Sequence, residues 1–513
     1  MARTVYKGRS ATDGVALGRL LRVDRSSTVD GSGAMTVAEA FAAVDRDLEQ
    51  LAERLRRDGQ DEAADIVETN RLMAGDPDLR AAVDGALAAS TPAEKAIGDA
   101  VEAQAQVLAS LPDPTLAGRA ADVRAVGRRL LARLSGQAPA PEPGHRDPLI
   151  VAAHEVSADD LLTAGRQLAG AVSVLGGAGA HAGIVARSLG VPLVVAVDPA
   201  ALDVADGTEV LVDATAGTVI AEPDPAERAV ALAAADVVAE RRAELAAARS
   251  EPVRTRDGRE VTVLANVGSL TEARLAVDNG APGVGLLRTE MPFLGATDWP
   301  TLAEHVAVLR PILECFPGQP VTVRTLDFGA DKLPPFLTPA HVRALLPDDA
   351  LRTQFAAILT AAGSAHIRIM IPMVSTVAAL QTCRRLLSEV TDQPIPLGAM
   401  VETPEAIAII DELAAAADFL SIGSNDLTAA LLGLDRRDPA LTPARAAEPI
   451  VRDAIAATVR AGAAAGTPVS ICGDAASDPS VIPLLVAVGC YTLSVAPAAL
   501  DEVRAQVRNL SSS

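Results

Sequence analysis

The sequence predicts a multidomain α/β protein in which a small α/β domain is interrupted by a helical bundle and followed by a (β/α)8 barrel. Three observations predict it. The 513 residues exceed what one hydrophobic core serves. Apolar residues make up 49% of the chain but aromatics only 2%, so the interior must be built from Ala, Val, Leu and Ile, which suits helices and buried parallel strands. The second half alternates short apolar runs with helical segments at the length and period of a barrel.

From Val5 to Val23, short β-type runs (Val15 to Leu17, Leu20 to Val23) are separated by turn residues, and a Ser/Gly/Asp-rich stretch follows. Thr36-Val-Ala-Glu39 and Thr91-Pro-Ala-Glu94 read as capping boxes, the second with Pro92 at the first helical position. Apolar periodicity predicts helices over 36–58, 61–74, 77–89, 92–110 and 114–135, a bundle placed at 25–137. The run Ala138-Pro-Ala-Pro-Glu-Pro-Gly144 cannot continue a helix and marks a linker. Strand signals return at Leu149 to Ala153, Ala171 to Leu175, Leu193 to Val197, Glu209 to Val212 and Thr218 to Ala221, with Asp206-Gly207 as a turn. The bundle thus reads as an insertion into an α/β domain made of 1–24 and 146–222. Asp224-Pro225, an N-cap followed by Pro, opens a connector helix over 223–250. The runs TVLANV, GVGLLR, VTVRTLD, IRIMIPM, PLGAMVE, FLSIGSN, VSICGD and YTLSVAP then supply eight barrel strands within 251–513.

The formal net charge of -21 argues against nucleic acid or an anionic membrane surface as the main partner, and suits either plain solubility or a small basic protein. Four widely spaced cysteines without metal-type spacing point to a reducing compartment without disulfides. The N-terminal stretch lacks an apolar targeting core and no apolar run reaches membrane-spanning length, so a cytoplasmic protein without membrane insertion is expected.

A barrel presents its active site at the C-terminal ends of its strands. There stand Arg288 and Glu290 after the second strand, Arg324 and Asp327 after the third with Lys332 in the loop beyond, and Glu402 after the fifth. Asn425 and Asp426 follow the sixth, with Arg436 in the next loop, and Cys472 ends the seventh. Each alone is an ordinary loop residue. Together, arginines, a lysine and carboxylates describe a trianionic substrate held partly by a hard cation, since Mg2+ takes one or two carboxylates plus substrate oxygens. Phosphoenolpyruvate (PEP) has that charge and shape. In the first half, His181 follows Gly176-Gly-Ala-Gly-Ala and opens a helical run. Backbone N–H groups and the helix dipole favour a phosphate there, and imidazole is a competent nucleophile near neutral pH. An ordinary turn histidine is the other reading of that spacing.

The runs GVGLLRTEMPF (283–293), VRTLDFGADK (323–332), MVETPEA (400–406), FLSIGSNDLT (419–428), LDRRD (434–438) and SICGDAASD (470–478) resemble the barrel of the PEP-utilising family that includes enzyme I of the bacterial sugar phosphotransferase system. The GG-x-x-x-H-x-x-I-x-A-R segment around His181 is similar to that family's phosphohistidine site. The resemblance implies a swivelling phosphohistidine domain, and a PEP-protein phosphotransferase that passes phosphate from PEP to His181 and then to an HPr-like phosphocarrier, releasing pyruvate during sugar uptake. It implies that Arg288, Arg324 and Arg436 grip the phosphoryl and carboxylate groups, helped by Lys332 and Asn425. Glu402 and Asp426 would bind Mg2+, and Cys472 would protonate the enolate, a small buried hydrophobe being its other reading. It further implies a carrier-docking bundle and a homodimer joined through the barrels.

The chain departs from the family pattern at several positions. Gly179-Ala180 replaces the usual Thr-Ser, with Ser157 as a possible source of the missing hydroxyl. FLTPAHVRALL (336–346) replaces a Gly-x-Arg segment, with Arg343 as substitute, and Asp474 and Ala330 stand for Glu and Gly. Two alternatives remain: a PEP- or pyruvate-sensing homologue with little turnover, and a dikinase or synthase relative, for whose ATP-binding domain the length leaves no room.

Overall fold

The computed structural model describes residues 3–23, 35–57, 61–109, 114–135, 148–164, 167–176, 181–293, 296–328, 334, 336–337, 346–435, 438 and 440–511. The Pro-rich 138–144 run lies outside them. The chain divides into two compact units, 1–242 and 243–513.

The first unit is built on an eight-stranded mixed sheet: β1 (Thr4–Lys7), β2 (Arg9–Ser10), β3 (Val15–Arg22), β4 (Leu149–Ala153), β5 (Leu168–Ser173), β6 (Leu193–Val195), β7 (Glu209–Asp213) and β8 (Thr218–Ala221), in the order β1-β8-β7-β3-β4-β5-β6-β2. The central strands β3 to β6 run parallel, and side-chain alternation gives each face its own core. Ile150, Ala152, Val172 and Val194 pack on one side. Val151, Ala153, Ala171 and Leu193 pack on the other, in one continuous core with Phe41, Leu48, Ile97 and Leu130 of the helices. Those helices, Val37–Arg57, Asp61–Ala74, Pro77–Ala88, Ala93–Ala109 and Pro114–Leu134, all fall between the paired strands β3 and β4.

Local chemistry sets the helix starts. Thr36 and Glu39 exchange hydrogen bonds in a capping box, as the sequence predicts. Asp224 caps the helix Pro225–Ala247 in the same reciprocal way with Glu227. Arg124 bridges Glu102 and Glu155, each at 2.9 Å, and so clips the helical block to the loop after β4.

Several strand boundaries differ from expectation, and two of the differences share a cause. β3 runs unbroken from Val15 to Arg22 instead of splitting at Gly18, and β5 begins at Leu168 rather than Ala171. In both cases the misleading residue is a strand glycine. A Cβ at Gly18 would sit 2.6 Å from the Pro148 carbonyl oxygen, and one at Gly170 would sit 2.9 Å from Ile150 Cδ1. These glycines permit close strand packing and make no turn.

The second unit is a closed parallel barrel of eight strands: β9 (Thr262–Val267), β10 (Val284–Leu287), β11 (Pro320–Arg324), β12 (His366–Ile371), β13 (Leu397–Val401), β14 (Leu420–Gly423), β15 (Val469–Cys472) and β16 (Thr492–Val495). Each coincides with one of the eight apolar runs. Outward-facing Val, Leu and Ile bury against the surrounding helices, while Leu286, Met370, Met400, Phe419 and Cys472 fill the interior. Among the described residues no helix is long and apolar enough to cross a membrane.

Phe419 fills the barrel only because Gly398 faces it: a Cβ there would meet its ring at 2.6 Å, and the Arg368 guanidinium stacks on that ring 3.8 Å from its centroid. Gly398→Ala is expected to destabilise the barrel by about 1–3 kcal/mol through overpacking. Scanning calorimetry would read this as a lowered barrel transition, and an unchanged transition would show that the ring can yield.

Candidate active site

The mouth of the barrel is organised around Arg324, the last residue of β11 and almost fully buried. Its Nη2 donates to Glu290 Oε1 at 2.8 Å, and its Nη1 lies 2.7 Å from Asp327 Oδ2. Burial alone would lower the guanidinium pKa, but Asp327, Glu290 and Glu402 more than offset it and keep the group charged. Its Nε is buried with no hydrogen-bond partner, a donor held ready for an oxygen of a ligand.

Glu402 follows β13 and is 1% exposed. Its Oε1 accepts from the Met373 N–H at 2.6 Å, while Oε2 is buried without a hydrogen-bond partner. Met373 makes this contact with φ of 54°, a left-handed conformation uncommon for a side-chain-bearing residue. Burial first, then repulsion from Asp327 and Asp426, pushes the Glu402 pKa up to about 8 against the pull of Arg324. Gly423 makes the space, since a Cβ there would stand 2.9 Å from Glu402 Oε2. Asp426 lies in the first turn of the helix Ser424–Leu432, where the dipole favours a carboxylate.

Asn425 beside it is fixed by Asp474: its Nδ2 donates to Asp474 Oδ2 at 3.1 Å and its Oδ1 accepts from the Asp474 N–H at 3.0 Å. Gly473, with φ of 94°, keeps this space open, because a Cβ would meet Asn425 Oδ1 at 2.8 Å. Cys472 ends β15, with its sulfur accepting from Ser421 Oγ at 3.6 Å and facing the Ile422 carbonyl at 3.5 Å. Burial pushes its thiol up to about 11, only partly countered by Ser421 and Arg324, so it stands as a protonated acid at neutral pH. Arg288, just after β10, is more open than Arg324: its side chain is 42% exposed and lies 3.7 Å from Glu272. Its Nε has no hydrogen-bond partner.

The structure therefore brings Arg324, Glu402 and Cys472 into mutual electrostatic range, with Asp426 in range of Glu402, Arg288 in range of Cys472, and Asn425 beside Asp426. Lys332, Arg436, Arg343 and Ala330 lie outside the described residues. Among the described residues no group of three or more His, Cys, Asp or Glu forms a metal cage. The orphan oxygen of Glu402 with Asp426 nearby nevertheless suits Mg2+, which takes few protein ligands and fills its shell with substrate oxygens. Sequence reasoning missed the Met373 amide, because a backbone donor set by an unusual φ leaves no mark in residue type.

In the first unit, His181 is the opening residue of the helix His181–Leu189, as its spacing predicts. Gly179 and Ala180 fall outside the described residues. A cleft of about 440 Å3, open space at its mouth included, borders the start of this helix, lined by Asp122, Glu155, Ser157, Gly176, Ala182 and Gly183 among others. Ser157 caps the helix Ala158–Ala164, its hydroxyl donating to Asp160 Oδ2 at 2.8 Å and accepting from the Asp160 N–H. Its hydroxyl is thus already committed locally, which weakens the expectation that it replaces the missing Thr-Ser pair.

Three domain families match in series: PEP-utilising enzyme, N-terminal, over 7–119; PEP-utilising enzyme, mobile domain, over 145–217; and PEP-utilising enzyme, PEP-binding domain, over 242–512. The chain is 37% identical to a phosphoenolpyruvate-protein phosphotransferase of Streptomyces coelicolor, covering 86% of this chain and 82% of that one. It is 35% identical to a protein of the same description from Haloferax volcanii, covering 91% and 86%. A multiphosphoryl transfer protein of Rhodobacter capsulatus is 34% identical over 98% of this chain, which spans only 64% of that longer relative. With a charged barrel mouth in one unit and a histidine-led helix in the other, the chain belongs to the PEP-utilising enzyme family.

Proposed function

We propose that the chain is a PEP-protein phosphotransferase that takes the phosphoryl group of PEP onto His181 and hands it to a histidine of an HPr-like phosphocarrier, releasing pyruvate. The observation that carries this reading is the barrel mouth, where Arg324 and Glu402 each keep a buried polar atom without a partner. The relatives' names support the reaction class.

Arg324 and Arg288, with Arg436 and Lys332 from the adjoining loops, hold the phosphoryl and carboxylate oxygens, and Asn425 supports them. Glu402 and Asp426 would hold Mg2+, which supplies neutralisation of the charge on the phosphate and the departing enolate. His181 attacks phosphorus through a ring nitrogen, and the bridging P–O bond breaks with its electron pair passing to the enolate of pyruvate. Cys472 gives its proton to the methylene carbon, completing pyruvate, and regains one from solvent. Its raised pKa suits an acid that must stay protonated until the enolate forms.

Carrier docking falls to the helical segment 25–137, the phosphohistidine to 1–24 with 146–222, the connector to 223–250, and PEP chemistry with homodimerisation to 251–513. The place of action is cytoplasmic, upstream of sugar uptake.

His181→Ala is expected to abolish acid-labile labelling by PEP while calorimetry still records PEP binding, because donor and acceptor groups belong to different units. Persistent labelling would remove His181 from the reaction, and a wild-type chain that binds PEP without labelling would favour the sensor reading. Glu402→Gln, or excess chelator with the wild type, should cut labelling at least a hundredfold, on the scale of losing a Lewis acid or an equivalent charge stabiliser. Full turnover in chelator would show these carboxylates misread. For Cys472, burial disfavours the thiolate, so alkylation by iodoacetamide should be slow at neutral pH and rise as pH approaches about 11. Rapid alkylation at pH 7 would contradict its role as an acid.

A further inference from the structure

We propose that Gln354, acting with Thr289, is a positioning residue that holds Arg324 and the Asp327 loop in register for phosphoryl transfer; this rests on the barrel mouth being the PEP site. Gln354 belongs to the helix Asp348–Ala361, outside the barrel wall, and is fully buried among that helix's apolar positions. A buried amide costs free energy unless its groups are paired. Here both ends are paired, and both partners are site-bearing strand ends. Its Oε1 accepts from the Leu326 N–H at 3.0 Å, and its Nε2 donates to Thr289 Oγ1 at 3.0 Å. The Thr289 hydroxyl donates in turn to the Arg324 carbonyl oxygen at 2.9 Å.

These three bonds close a ring that runs from the Arg324 carbonyl to the Leu326 amide through two side chains. They act where the barrel's own bonding runs out. β11 ends at Arg324, so the Leu326 N–H, one residue before Asp327, takes its partner from the Gln354 side chain instead of from a neighbouring strand. A second link crosses the same gap, from the Arg324 guanidinium to Glu290, next to Thr289. The ring also dictates residue type. The single hydroxyl hydrogen of Thr289 goes to the Arg324 carbonyl, so toward position 354 Thr289 can only accept, while the Leu326 N–H can only donate. Position 354 must therefore supply one donor and one acceptor at the same reach, which an amide does and a carboxylate does not.

The test uses the full chain with PEP and Mg2+. Thr289→Val and Gln354→Met each break the ring at nearly constant volume, and being on different elements they keep the test open should one fail to fold. Each is expected to lower kcat/KM for acid-labile labelling about tenfold to a hundredfold, the scale of a small misplacement of binding groups. The double variant should lose no more than the worse single variant, because one ring is broken once or twice. Thr289→Ser, which restores the hydroxyl but not the methyl, should recover the rate even where its melting temperature stays as low as that of Thr289→Val; a purely structural role would tie the two together. Wild-type kcat/KM in the folded single variants, multiplicative losses in the double variant, or no rescue by Thr289→Ser each overturns the proposal. A wild-type chain that takes no phosphate from PEP overturns the functional reading, and this inference with it.

Discussion

The constraint on which the second unit depends is the burial of one guanidinium. Arg324 stands at the end of a barrel strand with almost no solvent, and a charge in such a place persists only if it is paired. Glu290 from the preceding strand end and Asp327 from the following loop do the pairing. Removing one member of a buried pair typically costs about 3–5 kcal/mol, because the remaining charge is stranded. The arrangement therefore fixes the ends of β10 and β11 relative to each other before any ligand arrives. What the cluster leaves unpaired, Arg324 Nε and Glu402 Oε2, then points to where a ligand and a cation complete it.

Room for these groups comes from glycines facing them. Gly423 admits Glu402, and Gly473 admits Asn425. Neither has a side chain to offer, yet a methyl group at either position would enter the space of a site residue. Cys472 shares the same dry interior with Met370, Met400 and Phe419, and this burial is what keeps its thiol protonated. Its two sequence readings, acid and small buried hydrophobe, thus describe one physical situation.

How far the sequence carries these conclusions follows from the range of each interaction. The eight barrel strands and the five helices before β4 are legible because their signals, apolar runs and caps such as Thr36 with Glu39, are local. Gly18 and Gly170 mislead for the opposite reason: a glycine reads alike whether it turns the chain or lets another strand approach, and the deciding atoms belong to Pro148 and Ile150. Arg288, Arg324, Glu402, Asn425, Asp426 and Cys472 are legible because the barrel rule converts a position at a strand end into a place in the mouth. Gln354 is not, since it lies on a helix and meets Thr289 only across 65 residues of chain. Met373 is not, since its contribution is a backbone N–H.

The charge balance of the mouth explains why a metal belongs to the proposed chemistry. Among the described residues Arg324 faces the carboxylates of Glu290, Asp327 and Glu402, Asp426 acts on Glu402, and Arg288 pairs with Glu272. Two cations thus stand against five carboxylates, an excess of negative charge even when Glu402 carries a proton. A trianion entering such a site gains little net attraction from protein charges alone, however well Arg324 is aimed. The raised pKa of Glu402 reflects burial first and then repulsion from Asp327 and Asp426, which together hold a proton on it against the pull of Arg324. Glu402, once it gives up that proton, and Asp426 would together hold a divalent cation, which would supply the positive charge that the two carboxylates and the substrate oxygens lack. Substrate binding and metal binding should then be mutually dependent, each supplying the charge that the other lacks.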